Sequence, residues 1–246
     1  MSKVKPILFN TDMVKAILDG RKDTTRRILK LPKYIKKQED GLYTLFAEGD
    51  CYENQYLEEI VAYIKLQYRP EDILYVRETW RVGAWDIKNQ KMAFDYKDGT
   101  CGDLVHINDR ELFERLVNQS REDTRKAKRE YNGVDFVWEK GKSPCRWRPS
   151  IHMPKEAARI WLEITDVRVE RLQEITEEQA KAEGGIDNRG FIHSPGNEYD
   201  DIHSAREHFA KIWDSTISKE QHDLYGWDAN PWVWRIEFER CEKPEK

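Results

Sequence analysis

The sequence predicts an α+β protein, a small and mostly antiparallel barrel with helices at its ends. Two observations carry that reading: runs of strict apolar alternation at Ile73–Trp80 and Trp232–Phe238, and a longer strand-like run from Arg159 to Leu172. A third is the set of short amphipathic stretches between them, which end at glycines. With no internal repeat and no clear linker, residues 1–246 are expected to form one elaborated domain, with helical insertions at roughly 31–68 and 83–140.

The elements follow in order. Lys5 to Asn10 reads as a first strand. Thr11 is placed to cap a helix that runs to Asp19, with Met13, Val14, Ile17 and Leu18 on one face and Gly20 as its stop. Thr24 to Leu29 is β-branched and arginine-rich, a second strand. A short helix is expected from Glu58 to Leu66. In Ile73–Trp80 the parity puts Leu74, Val76, Glu78 and Trp80 on one face. Lys91–Tyr96 and Leu104–Ile107 are strands around an Asp98-Gly99 turn, and Asp109–Glu130 is a helix with a charged tail. The parity of Arg159–Leu172 switches near Thr165-Asp166, the mark of a bulge or bend. Thr176-Glu177-Glu178-Gln179 opens a short helix that Gly184-Gly185 ends. Ser204–Ile217 is helical, and in the last strand Trp232, Trp234, Ile236 and Phe238 point inward.

Composition narrows the function. With 39% hydrophobic and 36% charged residues, the chain has enough for a substantial core under a heavily charged surface. No apolar run approaches the roughly 20 residues needed to span a bilayer, and the first residues lack the apolar core of a signal peptide, so a cytoplasmic protein with no membrane partner is expected. Cys51, Cys101, Cys145 and Cys241 are scattered and His203 and His208 are five apart, so neither a metal site nor a cofactor is predicted. The net charge of −4 argues against indiscriminate DNA coating. Locally, however, Arg21 to Lys37 holds eight basic residues against Asp23 alone, a patch suited to phosphates or to a solvated face. Trp147, Trp227 and Trp232 could stack on bases, but tryptophans near prolines more often serve core or rim packing.

Two stretches concentrate the chemistry: Gly20-Arg21-Lys22-Asp23-Thr24-Thr25-Arg26-Arg27 and Tyr75-Val76-Arg77-Glu78-Thr79-Trp80. Glu78 shares a face with apolar residues, where a lone charge is costly; it must pair with a cation or stay protonated. Lys22 and Arg26 are the nearest candidates by motif, and the pair is either structural or part of a ligand cavity. A threonine hydroxyl such as Thr25 requires a base to act as a nucleophile, and a desolvated lysine supplies one.

These motifs, with Arg148-Pro149-Ser150-Ile151-His152-Met153-Pro154 and Asn230-Pro231-Trp232-Val233-Trp234, resemble the ASCH domain family of the PUA-like superfamily, in its longer phage and prophage forms. The resemblance implies a small β-barrel whose cleft binds RNA or a modified nucleoside. Some small members hydrolyse the amide of N4-acetylcytidine and others are reported as ribonucleases. Carried over, Lys22 is the base, Thr25 the nucleophile and Glu78 the orienting group, while Arg26, Arg27 and Arg21 hold the ligand. A phage accessory protein that docks to another protein is a further expectation. The chain departs from the family at Asp23, where threonine is usual, and at Glu71, where the turn usually has glycine. Asp23 is expected to raise the pKa of Lys22.

Overall fold

The computed structural model describes residues 3–30, 35–37, 43–47, 50–55, 68–127, 138–189 and 204–244. Along the chain run β1 (Val4–Leu8), α1 (Thr11–Leu18), β2 (Thr24–Ile28), β3 (Ile35–Lys37), β4 (Tyr43–Ala47), β5 (Asp50–Gln55), β6 (Ile73–Arg77), β7 (Trp80–Asp86), β8 (Lys91–Tyr96) and β9 (Val105–His106). Then come α2 (Arg110–Lys126), β10 (Trp161–Arg171), α3 (Glu177–Ala182), α4 (Ala205–Thr216), α5 (His222–Tyr225) and β11 (Trp232–Cys241). The protein is α+β with mixed sheets, and among the described residues no sheet closes on itself into a barrel. The helix expected at Glu58–Leu66 lies outside the described residues.

The chain divides into two compact units: Met1–Asp19, Asp72–Glu163 and Arg240–Lys246 form the first, and Gly20–Glu71 and Ile164–Glu239 the second. In the first unit β1 pairs in parallel with β6, from Val4 opposite Ile73 to Leu8 opposite Arg77. β10 pairs antiparallel to the other edge of β6 through Trp161, Leu162 and Glu163. The alternating run predicted as one strand is thus two, because β6 ends at Arg77 and β7 starts at Trp80. Leu74, Val76, Glu78 and Trp80 are all buried across that break. β7, β8 and β9 form an antiparallel meander whose register shifts between Val82 and Ala84. Gly83 sits at that shift, and a Cβ there would lie 2.5 Å from an Asp95 carboxylate oxygen, so a larger residue would force the Asp95 side chain to move. Trp80, Phe94, Ile107 and Met153 pack there with Phe113, Leu116 and Val117, the apolar stripe of α2.

Helix α1 buries Val14, Ala16 and Ile17. Its cap is Asn10 rather than Thr11: the Asn10 side-chain oxygen accepts a 2.8 Å bond from the Met13 amide, and Thr11 is the first helical residue. Gly20 follows with φ of 71°, the left-handed conformation that suits glycine after a helix.

In the second unit β2 pairs antiparallel with β11, with Thr25 opposite Ile236 and Arg26 opposite Arg235. β3, β4 and β5 form an antiparallel sheet of their own. Helices α3 and α4 both start with capping boxes, Thr176 with Gln179 and Ser204 with Glu207. Their apolar faces close on Leu172, Ile175, Ala180, Phe209, Trp213 and Val233. Of the residues expected to point inward on β11, Trp234, Ile236 and Phe238 are buried and Trp232 is half-buried. Glu71 takes a φ of 70° while its amide donates to the Ile164 carbonyl at 2.8 Å. That backbone is what glycine adopts freely and an L residue adopts at a cost, the physical content of the departure at this turn.

Candidate functional site

The chemistry-bearing residues of the second unit gather around the end of α3. The Thr176 capping box starts that helix, and Gly184, with φ of 93°, stops it one residue after Glu183. At Gly185 a Cβ would lie 2.6 Å from the Ala180 carbonyl oxygen and 2.7 Å from that of Ala205, so the chain after Glu183 is held tightly. Glu183 therefore sits at a fixed point facing the start of β2. Lys22 and Glu183 form an isolated antiparallel bridge, and the Asp23 amide donates to the Ala182 carbonyl at 3.1 Å.

Lys22 is only 3% exposed. Its ammonium donates to the Thr24 carbonyl at 2.6 Å, the Glu183 carbonyl at 2.9 Å and Glu183 Oε2 at 2.8 Å. Three N–H groups meet three acceptors, one of them a carbonyl at a helix C-terminus where positive charge is favoured. Arg26 is equally buried. Its guanidinium donates to Glu170 Oε1 at 2.7 Å through Nε, to Glu183 Oε1 at 3.1 Å and to Gln179 Oε1 at 3.0 Å. Two buried cations are thus matched by Glu183 and Glu170, with Glu183 bridging both.

Burial pushes the Lys22 pKa below its ordinary 10.5. The Glu183 carboxylate opposes that shift, while the charges of Arg27 and Arg26 add to it. Asp23 is exposed and accepts from Thr24 Oγ1 at 2.9 Å. The carboxylate that supports the Lys22 proton is Glu183, and the net direction is downward, opposite to what Asp23 led one to expect. Thr25 is buried on β2. Arg27, the next residue but one, is half-buried, and burial lowers its pKa while Tyr68 and Glu183 oppose that.

Beside this network lies a cavity of about 970 Å³. Arg21, Asp23, Lys181, Ala182, Asp187 and Arg189 are among its lining residues. Asp187 is held by the Arg189 guanidinium at 2.8 Å, and those hydrogen bonds lower its pKa. Of the expected ligand-binding residues, Arg21 lines this space, whereas the buried Arg26 and the half-buried Arg27 are not among its lining residues, nor is Lys22, the expected base.

Glu78 belongs to the first unit and is 2% exposed. Arg159 Nε and Nη2 donate to its two oxygens, each at 2.8 Å, and Nη2 also reaches Asp98 Oδ2 at 2.8 Å. The guanidinium lies 4.0 Å over the Tyr96 ring. Burial raises the Glu78 pKa and the Arg159 hydrogen bonds oppose it. Burial also works against the Arg159 charge, but Glu78 and Asp98 outweigh it and hold that proton above the ordinary range. A two-pronged contact of this geometry fixes the orientation of both side chains and is among the stronger hydrogen-bonded pairs a protein makes. The cation that answers Glu78 is Arg159, and the carboxylate that answers Lys22 and Arg26 is Glu183.

Glu183, Glu170, Gln179, Arg159 and Asp98 are the partners that the motifs did not reveal. Position gave one usable signal: Glu183 precedes the Gly184-Gly185 stop, where a polar side chain faces the helix end. Compared with protein-family models, curated proteins and solved structures, the chain has no match.

Proposed function

We propose that the protein binds a nucleic acid or a modified nucleoside, with the cavity of the second unit as the ligand's seat. One observation carries this reading: the cavity lining interleaves in sequence with the buried network. Arg21 and Asp23 flank Lys22, while Ala182 precedes Glu183 and Gly185 follows close behind it. A buried, internally satisfied ion network next in sequence to charged lining residues is how a fold pre-organises charged contacts. Arg21, Lys181 and Arg189 are the cations at the wall, and Arg26 and Arg27 belong to β2. The PUA-like barrel, the ASCH assignment, the phage or prophage origin and the cytoplasmic setting are part of the same proposal and rest on the motif resemblance.

A second reading makes the site a hydrolase acting on an acetylated pyrimidine nucleoside, with ribonuclease activity behind it. Its support is the lowered proton affinity of Lys22 three residues before the buried Thr25. Lys22, once neutral, would take the proton of the Thr25 hydroxyl as Thr25 attacks the amide carbon. The C–N bond would break with that proton passing to the departing N4 amine, and water would then hydrolyse the acetyl-threonine ester to acetate. To act as a base, Lys22 must first give up one of its three donors, since all three are engaged.

The test is titration of cytidine, N4-acetylcytidine and a short single-stranded RNA into the purified protein, with acetate release followed in parallel. Arg21→Glu and Arg189→Glu should weaken binding, because both invert charge at the cavity wall without touching the buried network. Binding that ignores both substitutions would remove the cavity from the account. Acetate release that survives in Thr25→Ala would remove threonine from the mechanism.

A further inference from the structure

The first unit holds a second cavity, of about 580 Å³, between α2 and the segment that leads into Ser150–His152. Its size falls within the range of small-molecule sites, about 300–1,000 Å³. Arg115, Gln119, Arg146, Arg148, Trp80 and His152 line its polar part, and Leu112 and Leu116 its apolar wall. The sequence builds it simply. Leu112, Arg115, Leu116 and Gln119 recur at helical spacing on one face of α2, and Arg148 is tied to Trp80 by two backbone hydrogen bonds of 2.7 and 3.2 Å.

The donors are unusual in being left over. Trp80 is 1% exposed, yet its indole N–H makes no hydrogen bond within the protein. Arg148 uses Nη1 on Gln119 Oε1 at 2.5 Å, but its buried Nε and Nη2 have no hydrogen-bond partner. Asp123 stands 3.6 Å from Arg148 Nη2 and 3.6 Å from Arg146 Nε, beyond hydrogen-bond length from both. Three arginines against one carboxylate leave the site positive. Buried donors with no acceptor are costly, and a guanidinium fork matches the oxygens of a phosphate.

We propose that this cavity binds a phosphate group carried on a ligand of nucleotide size, either a free nucleotide or a residue of a single strand. Arg115 and Arg146, both exposed, meet the phosphate oxygens, and Arg148 turns its Nε and Nη2 toward them by a side-chain shift, since both atoms are closed to solvent as they stand. Leu112 and Leu116 provide the surface for the apolar face of the ligand. The choice of a nucleotide over other organic phosphates rests on the function proposed above; the phosphate subsite itself does not, since it is built from the first unit alone.

The experiment uses the full chain and four probes: inorganic phosphate, uridine, uridine 5′-monophosphate and a uridine hexanucleotide. Each is titrated by calorimetry at low salt into wild type, Arg115→Ala/Arg146→Ala and Arg21→Glu. The nucleotide should bind, phosphate should compete with it, uridine should bind at least about tenfold more weakly, and the double variant should lose about tenfold or more in affinity. Arg115 and Arg146 are surface residues, so the double variant should stay folded, which its circular dichroism checks. A hexanucleotide that binds tighter than the mononucleotide identifies a strand as the source, and equal affinity identifies the free nucleotide. Unchanged nucleotide affinity in the folded double variant, or no binding of phosphate or nucleotide by wild type, overturns the proposal. Nucleotide binding that persists in Arg21→Glu while nucleoside binding is lost separates this site from that of the second unit.

Discussion

Replacing Glu183 by alanine puts the most weight on the network at Lys22. The carboxylate accepts from Lys22 at 2.8 Å and from Arg26 at 3.1 Å, and the side chains of both cations are fully buried. Its loss leaves each cation short of one acceptor but not of all. Lys22 keeps the carbonyls of Thr24 and Glu183, and Arg26 keeps Glu170 and Gln179. Removing one partner of a buried pair costs about 3–5 kcal/mol, and the surviving acceptors place this case near about 3 kcal/mol. That is a large share of a domain's typical stability of about 5–15 kcal/mol. Urea unfolding, followed by tryptophan fluorescence and by circular dichroism to check that the transitions coincide, reads the loss directly. Glu183→Gln should cost less, about 1–3 kcal/mol, because the amide oxygen still accepts one bond. Pairing Glu183→Leu with Lys22→Met should recover part of the stability, since an apolar pair of similar volume avoids the desolvation of both charges. A cost below about 1 kcal/mol for Glu183→Ala would mean that the carboxylate is not the counter-ion of these cations.

Because the folded Lys22 pKa lies below the unfolded value of 10.5, the unfolded chain binds more protons as pH approaches 10.5 from below, so this residue adds stability as pH rises through that window. Lys22→Met should flatten that slope in pH-dependent urea titrations, and an unchanged slope would contradict the shift. Glu71→Gly should raise stability by up to about 1 kcal/mol, because relief of the left-handed strain at φ of 70° exceeds the entropy glycine adds to the unfolded chain; a clear loss in urea would refute the strain. Arg159→Met should cost about 3–5 kcal/mol by stranding Glu78, and Arg159→Lys about 1.5–3 kcal/mol, because an ammonium cannot make both 2.8 Å bonds at once. Equal cost for the two variants would argue against the two-pronged contact.

Local patterns carried much of this fold. The first strand and helix, the β2 strand, the Lys91–Tyr96 strand and the helices after Thr176 and Ser204 follow from alternation, helical spacing and capping residues, all short-range signals. The burial of Glu78 was also legible, since its parity matches Leu74, Val76 and Trp80. Its partner was not: Arg159 lies 81 residues on, at the approach to β10. Glu183 lies 161 residues from Lys22, and no periodicity ties a helix end to the start of a distant strand. Nearness in sequence suggested Asp23 instead, but Asp23 points its carboxylate at Thr24 and stays exposed. The break between β6 and β7 escaped for a different reason. Burial alternates straight through Arg77 and Trp80, so the apolar pattern of a single strand persists where the backbone pairing changes from β10 to β8.

The central claim is that the protein binds a nucleic-acid or nucleoside ligand through charged contacts, and its most direct measurement is the affinity for a labelled single-stranded RNA across a salt series. Counter-ion release by the arginines should make the logarithm of affinity fall linearly with the logarithm of salt, with a slope of about −0.7 for each phosphate engaged. Arg21→Glu should weaken binding and make the slope shallower. Affinity that does not change with salt, or no binding even at the lowest salt by protein shown to be folded, would contradict the claim.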